Sequence, residues 1–218
     1  MGYRKSSGST EDGGFGTYRD LPFCCVVLIG INVCVFLIGL VFPQTGMRMR
    51  EAGSFGVLHL LYEDGFYRLV TASFLHSNAE HLLSNMLLLY FCGEIVEKSL
   101  GKVKMLLLYF CSAVCGNLLS AAYELSTGSF YDSIGASGAV FGLTGALLFL
   151  VIVRKGAASH ISMKRMVFAV LLSVYAGFEN NYVNNAAHLG GLLSGFLLAF
   201  LLGIIPPVLG GGKRSEKG

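Results

Sequence analysis

Long apolar runs separated by short polar connections dominate the hydrophobicity pattern of the chain. A helix that crosses a membrane needs about 20 mostly apolar residues. By this measure the pattern predicts six spanning helices, at residues 23–42, 81–94, 105–122, 137–153, 166–178 and 187–205. Two of these runs are short or interrupted by polar residues, which is typical of helices that lie inside a bundle rather than against lipid.

The two ends of the chain differ from this apolar middle. Residues 1–20 are rich in Gly, Ser and charge, which predicts a disordered tail. Residues 207–218 form a short, flexible basic tail. The sequence therefore predicts a single helical domain at residues 21–206, with a cytoplasmic tail on either side.

Composition supports a membrane protein. Of the 218 residues, 54% are hydrophobic and only 13% are charged, whereas soluble domains carry roughly 25% charged residues. This excludes an ordinary soluble domain, and a net charge of +3 gives no indication of nucleic-acid binding. The six cysteines lie in apolar runs without metal-ligand spacing, so we expect small buried side chains rather than disulfides or a metal site.

Basic residues in the connections predict the orientation of the helices. Lys and Arg occur at both termini and in the second and fourth connections, and are absent from the third (123–134) and fifth (179–185). Because cytoplasmic loops are enriched in Lys and Arg, both termini are expected in the cytoplasm. The first connection breaks this pattern with Arg48, Arg50 and Arg68, and such an exception calls for a local reason.

Ionisable residues inside predicted spans are expensive and are functional candidates by default. The stretch "HSNAEHLLSN" contains His76, His81 and Asn85. With about 100° per residue, His81 and Asn85 share one helix face, while His76 points about 140° away if the helix extends that far. The spacing thus predicts that His81 and Asn85 can reach one bound group and that His76 does not join them. The alternative is that all three serve interhelical hydrogen bonds.

Ser137 lies among small residues in "GASG", at the start of an apolar run. Glycines permit a tight turn and close approach of another backbone. The unpaired N–H groups at a helix N-terminus could stabilise an oxyanion at an attacked carbonyl. The alternatives are a helix cap and a small-residue packing motif.

His188 begins the last predicted span in "AHLGGLLSG". Small residues spaced by four form a stripe on this helix, and Gly138 and Gly142 form another on the Ser137 helix. Two such stripes can pack closely, which would bring the two N-terminal ends together. All three clusters are then expected at a similar depth on the non-cytoplasmic side.

Together these residues resemble the rhomboid family of intramembrane serine proteases. The resemblance rests on "GASG", "AHLGGLLSG" and the H-x4-H-x3-N pattern of "HSNAEHLLSN", in the family's order, and covers about residues 67–200. It implies an all-α integral membrane protein, a six-transmembrane-helix rhomboid bundle with both termini cytoplasmic.

The resemblance also implies roles for individual residues. Ser137 would be the nucleophile and His188 the general base, while His81, Asn85 and the backbone N–H of Ser137 would form the oxyanion hole. His76 and Gly135 would support these positions from beside them. Phe141 would pack against His188, at a position where relatives often have Tyr. Tyr67 and Arg68 would anchor the first loop, where the family usually has Trp-Arg.

The function expected is that of an intramembrane serine endopeptidase acting on single-pass or multi-pass membrane proteins near the outer face. It would work in the lipid bilayer, in a plasma membrane of bacterial type, with no metal, organic cofactor or nucleic-acid partner. One alternative is a non-proteolytic rhomboid-like protein for binding or quality control. Another is a transporter or channel that uses the histidines as a polar path. The natural substrate and the oligomeric state are left open.

Overall fold

The structure is a computed structural model that describes residues 21–153 and 184–204. Helices account for most of this part of the chain, and one isolated β-bridge pairs Phe55 with Ser133. Two 3-10 turns, Gly65–Tyr67 and Ala72–Phe74, flank the fourth helix. In chain order the α-helices are α1 (Phe23–Val41), α2 (Pro43–Gly53), α3 (Val57–Tyr62), α4 (Arg68–Thr71), α5 (Ala79–Leu100), α6 (Lys102–Thr127), α7 (Ser137–Val153) and α8 (Asn185–Ile204).

Five of the six predicted spans correspond to long helices, namely α1, α5, α6, α7 and α8. Three of these, α1, α6 and α8, are long and apolar enough to cross a membrane, and α7 is a shorter apolar helix. The predicted span at 166–178 and both predicted tails lie outside the described residues. The first connection holds α2, α3 and α4, which hydrophobic runs did not predict.

Helix α5 is longer than the predicted run of 81–94. The sequence prediction was wrong here because the charged residues after Glu94 look like a polar connection. In the structure Lys98 pairs with Glu94 at 2.6 Å, one helical turn apart. The buried Glu97 carboxylate accepts hydrogen bonds from the backbone N–H groups of Cys24 and Cys25, at 3.1 and 3.0 Å. Those N–H groups belong to the first turn of α1 and have no partner within it, so Glu97 satisfies them.

Hydrogen bonds near the helix ends give the directions of the long helices, of which α7 and α8 run the same way. The Glu97 bonds place the start of α1 beside the end of α5. Lys104 donates to the carbonyl of Leu202 at 2.7 Å, which places the start of α6 beside the end of α8. At the opposite end, which we call the Ser137 end, the Gly135 N–H donates to the Ala72 carbonyl at 2.9 Å. The starts of α5, α7 and α8 therefore share one end of the bundle.

Helices α7 and α8 pack with their backbones in contact along the predicted glycine stripes. A Cβ on Gly191 would overlap the carbonyl oxygen of Gly138, and one on Gly195 would overlap that of Gly142. Gly145 faces the Leu192 carbonyl in the same way. The predicted close packing of the two stripes is confirmed, and it leaves no room for any side chain between the helices.

The first connection folds against the Ser137 end. The Arg68 guanidinium is buried and donates to the carbonyls of Glu51 and Ser54 at 2.8 and 3.0 Å. These bonds tie the end of α2 to α4 and give a local reason for one basic residue of the exceptional loop. The Tyr67 ring, 5.6 Å from the Arg68 guanidinium carbon, is mostly exposed.

A second anchor comes from α6. The buried Glu124 carboxylate accepts from the Val57 N–H at 3.2 Å and from the Ser120 hydroxyl at 3.1 Å. The Asn117 amide donates to the Leu69 carbonyl at 2.9 Å. A buried polar group is costly unless it is hydrogen-bonded, so these contacts fix the first connection to α6 at defined points.

All six cysteines are unpaired. Cys24, Cys25 and Cys92 are buried, as the sequence predicts, but Cys34 is exposed on α1 and the remaining two are half-buried. The expectation of uniform burial was wrong because α1 covers the rest of the bundle with only one of its faces.

We expect Gly195→Ala to destabilise the protein by at least about 2 kcal/mol, because its Cβ would meet the Gly142 backbone and force α7 and α8 apart. The matched control is Gly30→Ala on α1, where a Cβ meets nothing within 4 Å. Thermal unfolding of both variants in detergent measures the difference. Equal transition temperatures would contradict the packing described here.

Candidate active site

Ser137 is the first residue of α7, and a turn at Gly135 leads into it. Gly135, two residues earlier, has φ of 133°, a conformation that L side chains rarely adopt. Its N–H bonds to Ala72, which fixes the turn against the 3-10 segment before His76. The Ser137 side chain and the free N–H groups of the first turn of α7 thus lie side by side.

The imidazole of His81 lies against this turn. A Cβ built on Gly135 would be 2.7 Å from His81 Nε2 and 3.8 Å from Ser137 Oγ. The imidazole and the hydroxyl therefore flank the same α-carbon. Any side chain at position 135 would occupy the space between them. Position 135 therefore requires glycine for this steric reason as well as for its φ.

His81 and Asn85 are on the same face of α5, as predicted, and they are linked to each other. The Asn85 Nδ2 donates to the His81 carbonyl at 2.8 Å. Asn78 caps α5 by accepting from the His81 N–H at 2.8 Å. The Ser77 hydroxyl is 3.1 Å from His81 Nδ1. Asn85 keeps a second amide N–H for another acceptor.

His76 packs against the His81 ring. Their ring centroids are 5.1 Å apart with the planes at 67°. Because α5 begins only at Ala79, the rotation of 100° per residue, which required the helix to extend to His76, does not apply to this residue. Burial, together with the neighbouring His81, lowers the pKa of His76 to about 3. The His76 ring is therefore neutral near pH 7.

His188 lies in the first turn of α8 and is buried. Its ring stacks on Phe141, with centroids 4.2 Å apart and planes at 13°, so the ring contact expected between these two residues is present. Asn184 accepts from the Ala187 N–H at 3.0 Å and so caps α8 directly before His188. The Nδ1 atom of His188 has no hydrogen-bond partner among the described residues.

The structure thus gathers the candidate residues at one end of the bundle. Phe141 is one turn after Ser137, so its stacking places His188 beside the first turns of α7. Within residues 21–153 and 184–204, no hydrogen bond joins Ser137 to His188. Catalytic hydrogen bonds are often long in enzymes without substrate.

Sequence reasoning missed two residues beside this cluster. One Arg50 nitrogen, Nη2, donates to the carbonyls of His76 and Ser77, at 3.0 Å each. Arg50 had a signal, since it is one of the basic residues that break the charge pattern of the first connection. No sequence feature indicated Ser77, because a Ser next to a helix cap is common and has many ordinary structural roles.

Comparison with known proteins agrees with this geometry. The Rhomboid domain family model matches residues 63–205. YdcA of Bacillus subtilis is 37% identical over 127 residues, which are 58% of this chain and 62% of that protein. The rhomboid protease GluP of the same organism is 32% identical over 71% of this chain and 29% of its own length. The rhomboid protease AarA of Providencia stuartii is 29% identical over 76% of this chain and 67% of its own.

The chain belongs to the rhomboid family. It is a membrane protein of helical architecture, and relatives named as proteases support a hydrolase at the level of the family. The chain spans less than two thirds of the length of YdcA and of GluP.

We expect Gly135→Ala to lower reaction at Ser137 by about 100-fold, because its Cβ would displace the His81 ring from the Ser137 turn. Gly128→Ala is the control. Gly128 also has a positive φ, of 69°, but a Cβ there meets nothing within 4 Å. Both variants should lose stability through backbone strain, and only Gly135→Ala should lose reactivity with a serine-directed probe. A similar loss in both would contradict the steric role.

Proposed function

We propose that this chain is an intramembrane serine endopeptidase that uses Ser137 and His188 as a catalytic dyad. The observation that carries the proposal is the meeting of two elements at the start of α7. His81 lies against the turn before Ser137, and His188 stacks on Phe141 one turn after it. Independent structural histidines would have no reason to converge on one serine.

In the proposed reaction Ser137 Oγ attacks the scissile carbonyl carbon while His188 takes the hydroxyl proton. The tetrahedral intermediate collapses, the C–N bond breaks, and His188 gives its proton to the leaving amine. Water then attacks the acyl-enzyme with His188 again as the base, which releases the carboxylic acid and restores the Ser137 hydroxyl. No metal or organic cofactor takes part.

The negative oxygen of the intermediate would be held by donors from two elements. His81 and the second amide N–H of Asn85 approach from α5, and the Ser137 N–H comes from the first turn of α7. Donors that are already oriented cost no reorganisation during the reaction, which makes this kind of stabilisation large. His76 supports the His81 ring, and Arg68 with Tyr67 supports the loop in front of the site.

The membrane arrangement proposed is a domain of six spanning helices at residues 21–206 with both termini cytoplasmic. The Ser137 end would then open to the non-cytoplasmic side of a plasma membrane, and the substrates would be transmembrane segments of other proteins. The connection at 123–134, which lacks Lys and Arg, is at this end, which supports the orientation.

The second candidate function is a non-proteolytic rhomboid-like protein that binds membrane proteins on the same scaffold. It requires only the family's fold, which the match of the Rhomboid domain model to residues 63–205 supports. It predicts an unreactive Ser137, so the two functions differ in one measurement.

A fluorophosphonate probe tests the dyad without a known substrate. We expect the purified wild-type protein to be labelled, Ser137→Ala to be unlabelled, and His188→Ala to react at least about 100-fold more slowly, since a general base contributes that much. Ser129→Ala, an exposed serine before α7, is the control and should label as the wild type does.

An unlabelled wild-type protein with an intact thermal transition in detergent would overturn the protease proposal and leave the binding function in its place. Labelling that persists in Ser137→Ala would place the reactive group elsewhere.

A membrane substrate must leave the helical conformation at its cleavage site, because helical amides are hydrogen-bonded and shielded. We expect a model transmembrane substrate with a Gly near the site to be cut about fivefold faster than its Ala counterpart, as a Gly weakens a helix by about 1 kcal/mol. Initial cleavage rates on gels measure this. Equal rates would show that opening of the helix does not limit the reaction.

A further inference from the structure

The environment of His81 contains a group that the proposed mechanism does not use. Ser77 lies in the turn before α5, and its Oγ is 3.1 Å from His81 Nδ1. The opposite ring nitrogen, Nε2, and the adjacent Cε1 lie against the Gly135 turn that leads to Ser137. The two nitrogens of one imidazole thus have separate neighbours, a serine hydroxyl on one side and the candidate oxyanion site on the other.

A neutral imidazole carries one N–H and one acceptor nitrogen, and the partner of one nitrogen decides the role of the other. If the Ser77 hydroxyl donates to Nδ1, the ring proton must be on Nε2. The N–H of His81 then points to the Ser137 turn, where an oxyanion needs a donor. The reverse tautomer would present a lone pair there and repel the oxyanion.

We propose that Ser77 is a positioning residue that holds His81 in the Nε2–H tautomer. This inference rests on the proposed function, in which His81 donates to the oxyanion. Ser77 touches neither Ser137 nor the substrate in this account and acts only through the His81 ring.

Ser77 is itself held in place. Arg50 Nη2 donates to two successive carbonyls, that of His76 and that of Ser77 itself, at 3.0 Å each. These two bonds from one guanidinium nitrogen hold the peptide units before and after the Ser77 α-carbon. Arg50 belongs to α2, so the first connection is linked to His81 through Ser77.

The remaining sides of the His81 ring are also occupied. The His76 ring centroid is 5.1 Å from that of His81, and a Cβ built on Gly135 would meet the Cε1–Nε2 edge of His81. With these contacts the ring cannot turn freely, so in the proposed role a proton donated by the Ser77 hydroxyl acts on the tautomer rather than on the ring orientation. Loss of the hydroxyl should therefore change where the proton sits and leave the ring packed.

Two measurements on the full-length protein in detergent test this. In two-bond ¹H–¹⁵N spectra of ¹⁵N-histidine protein, assigned with His81→Ala, we expect the Nε2–H form of His81 in the wild type and a mixture of both tautomers in Ser77→Ala. The fluorophosphonate labelling rate of Ser77→Ala should fall about 10-fold, less than the roughly 100-fold or more for loss of a whole oxyanion donor. Ser77→Thr, which keeps the hydroxyl, should restore both.

Controls separate this role from a structural one. Ser129→Ala should change neither the spectrum nor the rate. Arg50→Ala should slow labelling as Ser77→Ala does, whereas Arg48→Ala, on the same helix and exposed, should not.

An Nδ1–H tautomer in the wild type, or a wild-type labelling rate in Ser77→Ala, would overturn the inference. Failure of the wild type to label would overturn the proposed protease instead, and the tautomer in the spectra would then decide the role of Ser77 alone.

Discussion

Contact between the backbones of α7 and α8 is the constraint on which the rest of the structure depends. Gly191 packs against the carbonyl of Gly138, and Gly195 packs against that of Gly142. In lipid there is no hydrophobic driving force between helices, so close van der Waals packing of small residues has to supply the association. The same approach brings Ser137 and His188 to one end, because both lie in the first turn of a helix in that pair.

Polar groups in the rest of the bundle are used as fixed attachment points. Glu97 binds the start of α1, and Glu124 binds the N–H of Val57. Each is buried, so each would be costly without these bonds. Arg68 does the same for the end of α2. The first connection is therefore a rigid support for the turn that carries His76 and His81, rather than a loose loop.

Much of the helical framework and of the candidate site could be predicted from residue patterns. Apolar runs located α1, α6, α7 and α8, and glycine spacing predicted which helix faces meet. What failed depended on contacts between distant segments. The end of α5 was placed too early because Glu97 looks like a loop residue until its bonds to α1 are seen. The position of His76 could not be predicted from helical spacing, because the N-cap at Asn78, not the apolar pattern, decides where α5 begins.

The sequence by itself determined which polar residues are candidates for chemistry and at which end of the bundle they are expected, because helix length and the alternation of spans fix the depth of each residue. The tertiary structure decided which atoms meet. Only the folded chain places His81 Nε2 at Gly135, Phe141 on His188, and Ser77 at the far nitrogen of His81. These contacts join segments far apart in the sequence or depend on a turn, and no local periodicity encodes a distance of a few ångströms.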